Sequence, residues 1–323
     1  MQKKRSIVLG GVGFIGSHLC RTLLDRGHEV FAIDIRDITH APMLRKSLHE
    51  ASFHYIHHNI IHPFGIRCDE IYHLAAPSML RYNRALPVET LRVAMVGSIH
   101  ALDTARTEHA RVVLASTGSI YHVEHQAATN DTTAATTQHL LVESKRAAEA
   151  LHCAYRQEFG VDTRIARIFN SYGSGSDLMD QRVVNKMVVA ALQNRDILIE
   201  GSGEQIRTFC WVGDIVEGLI QLMQALPTDH TRIVNLGSDQ EISILGLAHR
   251  IIALTGSRSR ILHVAARNED IRRRVPDLST THKALGWYPT TSLDEGLKRT
   301  INYIEKELSE RAGAFCSWIE VNH

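Results

Sequence analysis

Residues 6–35 read SIVLGGVGFIGSHLCRTLLDRGHEVFAIDI, and three patterns follow one another along this stretch. Residues 6–9 are a short apolar run, after which glycines fall at Gly10, Gly13 and Gly16. Ile15, Leu19, Leu23 and Leu24 recur at helical spacing until Gly27, and EVFAID then restores a strand pattern that closes on Asp34. The stretch predicts a strand–helix–strand unit. Gly10 permits the tight turn and Gly13 lets the backbone approach a pyrophosphate. Gly16 lets helix and strand pack closely, with the helix N terminus turned to the anion. Asp34 stands 18 residues beyond Gly16, where a carboxylate accepts hydrogen bonds from ribose hydroxyls. The same carboxylate repels a 2′-phosphate, so NAD is the expected cofactor, with Arg36 keeping NADP open as the minor reading. Glycine spacing alone is weak, but between two strands, with the acid in register, it decides the fold.

Working outward, strand patterns recur at 69–76 (DEIYHLAA), 110–117 (ARVVLAST) and 163–170 (TRIARIFN), with helical stretches at 87–108 and 140–159 between them. This alternation predicts an α/β protein of the Rossmann type, a doubly wound parallel sheet with a smaller C-terminal lobe. Ligands of such sheets bind at the carboxyl ends of the strands, which makes HLAAP, STGSIYH and FNSYG candidate site segments. TRIVNLGS at 231–238 reads as a strand returning to the sheet. The expected division is a cofactor domain over 1–170 with the return segment 212–242, and a substrate lobe over 171–211 and 243–323.

Composition excludes several classes. The formal net charge is +1, with 44% hydrophobic and 22% charged residues, which argues against a nucleic-acid or membrane surface. No apolar run approaches the ~18 residues that span a bilayer. Lys3, Lys4 and Arg5 lead into the first strand with no apolar leader behind them. The five cysteines are scattered and never form a C-x-x-C pair, the pattern of a reducing cytoplasm without structural zinc. His54, His57, His58 and His62 cluster without acidic or cysteine partners, so no metal is expected.

The motifs GGVGFIGSH, DEIYHLAAP, VLASTGSIY, RIARIFN, GSGEQIRTFCWVGD, NLGS, RRVPD and KALGW, in this order, resemble the extended short-chain dehydrogenase/reductase family of nucleotide-sugar enzymes. Within that family the similarity is greatest to UDP-glucuronate decarboxylases (UDP-xylose synthases), and it runs from about residue 5 to about residue 308. The resemblance implies NAD as cofactor and a nucleotide-diphosphate sugar as substrate. It places Gly10, Gly13, Phe14, Ile15, Gly16, Asp34, Asn59, Ile60, Leu74 and Ala75 against the cofactor, and Lys145 on the nicotinamide ribose. Thr117 matches the hydroxyl residue that meets the sugar. Ser119, Asn170, Arg182, Arg207 and Arg274 fall in the substrate pocket, where a guanidinium fork suits a diphosphate. A homodimer through 87–108 and 140–159 is also implied. Leu91, Val96, Ile99 and Leu102 mark an apolar face there, which burial against the sheet would equally explain.

The departures bear on chemistry. The family carries a tyrosine four residues before the lysine, where helical spacing sets the two on one face and the ammonium favours phenolate. That position is Leu141, which cannot exchange a proton. Ser119 stands where the decarboxylases carry glutamate, Gly118 where they carry serine, Leu9 where a threonine opens the glycine motif, and Ala94 where a helix asparagine is common. Asn59 replaces an aspartate that often meets adenine. Two function classes follow. An active enzyme would move the proton through His122, His139 or Tyr121, histidine being suited to neutral pH, or would act on a sugar already activated by a ketone or alkene. The alternative is a binding or partner subunit that keeps NAD and the nucleotide sugar without turning over.

Overall fold

The computed structural model describes residues 3–77, 85–121, 140–266 and 272–321, with side chains through residue 310. His122 and His139 lie outside the described residues. The chain divides into two compact units. Unit one comprises 1–169, 215–236 and 277–288, and unit two comprises 170–214, 237–276 and 289–323.

Unit one is built on seven parallel strands: β1 (Arg5–Leu9), β2 (Glu29–Asp34), β3 (Phe53–His57), β4 (Glu70–His73), β5 (Arg111–Thr117), β6 (Thr163–Ile168) and β11 (Ile233–Leu236). Their order is β11-β6-β5-β4-β1-β2-β3, the reversing order of a Rossmann sheet. Ile7, Val8 and Leu9 of β1 are all fully buried. Burial on both faces of a strand is what a parallel sheet covered on both sides requires. Helix α1 (Phe14–Asp25) buries Leu19, Leu23 and Leu24, and α2 (Pro87–Glu108) and α3 (Leu140–Phe159) have the bounds the sequence predicts. Leu102 of α2 joins the core with Ile7, Leu9 and Ile71, whereas Leu91 is 39% exposed. The apolar face read from the sequence is therefore partly core and partly surface.

Two features differ from the sequence reading. The histidine-rich FHYIH segment is a strand, β3, in register with β2 (Asp34 opposite His57). Its histidines hid the strand signal, and each takes an ordinary partner: His54 meets Glu29 at 3.0 Å and His57 the Ile35 carbonyl at 2.8 Å, while His58 just beyond the strand meets the His62 carbonyl at 3.1 Å. Among the described residues no group of histidine, cysteine and acidic side chains is placed to hold a metal. The second difference is the segment 277–288, assigned to the substrate lobe by sequence but part of unit one here. Asn235 of β11 explains it: its Nδ2 donates to the Asp277 carbonyl at 2.9 Å, and the Thr281 hydroxyl donates to the Asn235 carbonyl at 2.7 Å. The sheet edge thus binds this segment through the polar side of its last strand. The short helix α7 (Ser279–Leu285) results. Helix α5 (Val212–Gln224) precedes β11.

Among its described residues, unit two holds three two-stranded sheets: β7 (Ser171–Tyr172) with β10 (Cys210–Trp211), β8 (Ile197–Glu200) with β13 (Ile261–Val264), and β9 (Ile206–Thr208) with β12 (Glu241–Ser243). Helices α4 (Val183–Leu192), α6 (Ile244–Thr255) and α8 (Leu293–Val321) pack on one another. No helix among the described residues is long and apolar enough to cross a membrane.

Candidate active site

The glycine turn lies where β1 parts from its neighbours. Gly10 has φ of +82°, a conformation glycine adopts without strain. A Cβ there would also stand 2.8 Å from the Ala75 nitrogen, so Gly10 lets the Leu74–Ala75 loop pass. At Gly16 a Cβ would come within 2.1 Å of the Gly10 carbonyl oxygen, which sets the close approach of α1 to the turn. Among the described residues no side chain caps the N terminus of α1, and its first turn carries no acidic residue. Such a terminus presents backbone N–H groups and a positive dipole end, the physical requirement for a pyrophosphate.

Asp34 ends β2 and is 8% exposed. Its Oδ2 accepts the Val12 N–H at 3.0 Å and its Oδ1 the Arg36 N–H at 2.9 Å. Burial raises its pKa above the usual aspartate value, while those two backbone donors act in the opposite sense. The carboxylate is thereby held rigidly with lone pairs to spare for hydroxyl donors. Beyond β3, the Asn59 Oδ1 accepts the Ile61 N–H at 3.2 Å, and Ile60 is buried against Gly97. This cradle and its carboxylate fit a dinucleotide with a free ribose 2′-hydroxyl.

Lys145 of α3 is 8% exposed and donates from Nζ to the Ala115 carbonyl on β5 at 2.7 Å. Burial lowers its pKa to about 8, opposed by the charge of Glu149 one turn on. Glu149 is itself held by Arg167 of β6 through bonds of 3.0 and 2.7 Å. Leu141, one turn before Lys145, offers only hydrocarbon. Thr117 ends β5, and its Oγ1 accepts the Ser119 N–H at 3.2 Å. Where a side chain at position 118 would stand, the Phe169 ring lies within 2.5 Å of the Cβ site, so Gly118 leaves that room to an aromatic. Tyr121 donates its hydroxyl to Asn235 Oδ1 at 2.9 Å, and the Arg167 guanidinium lies 4.8 Å from its ring centre. Of the three proton carriers read from the sequence, the described one has its hydroxyl proton engaged.

In unit two, Asn170 donates to the Thr208 carbonyl at 3.0 Å, and Arg182 pairs with Asp180 at 2.5 Å. Arg207 and Arg274, far apart in sequence, lie on adjacent extended segments. The Ile206 N–H donates to the Arg272 carbonyl at 2.8 Å and the Arg274 N–H to the Ile206 carbonyl at 3.1 Å. This parallel register sets Arg207 and Arg274 on one face, while Arg273 turns to the other and pairs with Glu241 at 2.6 Å. Two guanidinium-bearing positions side by side are suited to a diphosphate. Sequence reasoning missed His73 and His152. His73 of β4 and His152 of α3 are buried, with ring centres 6.1 Å apart. Both belong to the layer that holds Lys145, and the sequence offers no motif that joins them.

Fold and site together define a dinucleotide-dependent protein of the Rossmann class. The chain belongs to the NAD dependent epimerase/dehydratase family, whose model matches residues 6–237. Among its relatives is UDP-glucuronic acid decarboxylase 1 of Xenopus tropicalis, 36% identical over 96% of this chain and 74% of that protein. UDP-glucuronic acid decarboxylase 6 of Arabidopsis thaliana is 34% identical over 91% of this chain and 86% of that one. The fold is similar to that of UDP-glucose 4-epimerase from Thermotoga maritima, solved with UDP-glucose. There the TM-score is 0.81 at 24% identity, covering 94% of this chain and 99% of that one.

Proposed function

We propose that this chain binds NAD and a nucleotide-diphosphate sugar and performs nicotinamide-dependent chemistry on the sugar without a phenolic acid/base. In this reading Gly10, Gly13, Phe14, Ile15 and Gly16 hold the pyrophosphate, with Leu74 and Ala75 beside it. Asp34 takes the adenosine ribose, Asn59 and Ile60 flank adenine, and Lys145 takes the nicotinamide ribose. NAD supplies the hydride acceptor and donor. Thr117 and Ser119 orient the sugar, and Asn170, Arg182, Arg207 and Arg274 receive the nucleotide diphosphate. The observation that carries the reading is Lys145, buried and fixed on the Ala115 carbonyl although its tyrosine partner is absent. A buried ammonium is costly unless it is paired and hydrogen-bonded, and the fold keeps the Ala115 carbonyl and Glu149 in place to do so. Epimerase, dehydratase and decarboxylase-like reactions all share these parts. Leu141, Gly118 and Ser119 weigh against the decarboxylase's own proton chemistry, and His122 and His139 are the remaining carriers. A cytoplasmic homodimer completes the reading.

A second reading, a binding subunit without turnover, is favoured by Leu141 together with the engaged hydroxyl of Tyr121. One experiment separates the two. Purified protein is denatured to assay released NAD, then intact protein is incubated with a panel of UDP-sugars. Nicotinamide absorbance and the sugar's NMR spectrum are followed. A redox signal or new sugar supports the first reading, and tight binding with neither supports the second. Failure to bind NAD or any nucleotide sugar overturns both.

A further inference from the structure

His73 and His152 are polar, buried and only half satisfied. His73 Nε2 meets the Ser98 hydroxyl of α2 at 3.2 Å, and His152 Nδ1 meets the Ala148 carbonyl at 2.8 Å. That carbonyl only accepts, so His152 Nδ1 carries the proton and Nε2 keeps a lone pair. The remaining ring nitrogens, His73 Nδ1 and His152 Nε2, have no hydrogen-bond partner among the described residues, and neither does the buried Ser116 hydroxyl. His73 is in register with Leu114, and Ser116 follows two residues on, so all three share the sheet face on which Leu114 packs against Ala148 of α3. Leaving a buried polar atom unpaired costs about 1–3 kcal/mol, and three occur in one layer.

We infer that the unpaired nitrogens of His73 and His152 face inward on one internal water held between the two rings, and that this water is the polar backing of the Lys145 ammonium. Ring centres 6.1 Å apart leave a gap that a water spans with hydrogen bonds of about 2.8 Å to each side. Ser116 offers a third partner, and buried waters make about three hydrogen bonds. Both imidazoles are neutral at neutral pH, because burial pushes His73 well below its ordinary pKa and His152 to about 4, with the Lys145 charge adding to both shifts. Among the described residues, the charged groups tied to Lys145 are Glu149 on its own helix and, bound to Glu149, Arg167 of β6. The two histidines are thus positioning residues acting on Lys145. The inference deepens the reading above, which sets Lys145 at the nicotinamide ribose.

The test uses the protein without cofactor or substrate. Lysine labelled with carbon-13 at Cε is followed by NMR across pH, and Lys145→Arg assigns the buried resonance. In the parent, Lys145 titrates near pH 8. His152→Leu removes the acceptor and expels the water, so the midpoint falls by about one unit as the ammonium loses solvation. His152→Gln keeps a polar partner and restores it. A folded His152→Leu protein with an unmoved Lys145 midpoint overturns the inference. Should that variant not fold, a high-resolution crystal structure of the parent decides. A water bonded to both inner nitrogens supports the inference, and its absence overturns it. Neither readout needs NAD, so a failure to bind NAD would sink the functional reading and leave this one standing.

Discussion

The Asp34 carboxylate accepts the Val12 N–H at 3.0 Å, tying the end of β2 to the glycine turn that follows β1. One side chain therefore fixes the turn and, in the reading proposed above, also takes the ribose. Asp34→Ala should lower NAD affinity at least ~10-fold, the scale of a lost charged hydrogen bond. Asp34→Asn should lie between. Calorimetric titration with NAD measures both, and an unchanged affinity would remove Asp34 from the cofactor site.

The glycines differ in what they tolerate. Gly16→Ala drives a Cβ to 2.1 Å from backbone oxygen and should cost several kcal/mol or abolish folding. Gly27 has φ of +83° but nothing within 4 Å of a Cβ, so Gly27→Ala should cost only about 1 kcal/mol of backbone strain. Urea unfolding of the two variants gives the comparison.

Leu141→Tyr restores a phenol one helical turn before Lys145. If the pocket is a nucleotide-sugar site, sugar oxidation or product formation should rise by roughly 10²–10⁴-fold, the usual contribution of a positioned acid/base. Sugar NMR with the best-binding substrate measures it. No gain in a variant that still binds NAD and the sugar would show that more than the phenol has been lost.

Stability should fall in acid through the buried histidines. His152 has its folded pKa depressed to about 4 from 6.5, so its contribution is complete above pH 6.5 and is lost as pH falls through about 4. In that window the unfolded chain binds the proton that the fold excludes. His73 is depressed well below its ordinary value by burial, in the same sense. Urea unfolding between those pH values should show stability rising with pH, and His152→Leu should remove one proton from the slope.

Residues 6–35 were legible because turn, helix and acid each state their own local requirement, and α2 and α3 because long helices carry strong periodicity. β3 was not legible: its two histidines, His54 and His57, stand three residues apart and break the two-residue alternation of a strand pattern. The place of 277–288 was hidden because two hydrogen-bonded contacts to Asn235 decide it, and nothing in its composition reports them. The paired arginines were each legible by resemblance, but their adjacency is a matter of register. His73 and His152 escaped because buried histidines resemble packed ones until their partners are counted.

Unit one takes its residues from three separate stretches, the last ending at 288. During synthesis, its first strands leave the ribosome before β11 and α7 exist, so β6 remains an open edge while residues 170–214 of unit two are made. An unpaired edge strand invites wrong pairing. The chain must therefore stay out of trouble with an unfinished sheet until β11 arrives and with an unfinished unit until residues 277–288 follow, and neither unit can be produced by a single cut.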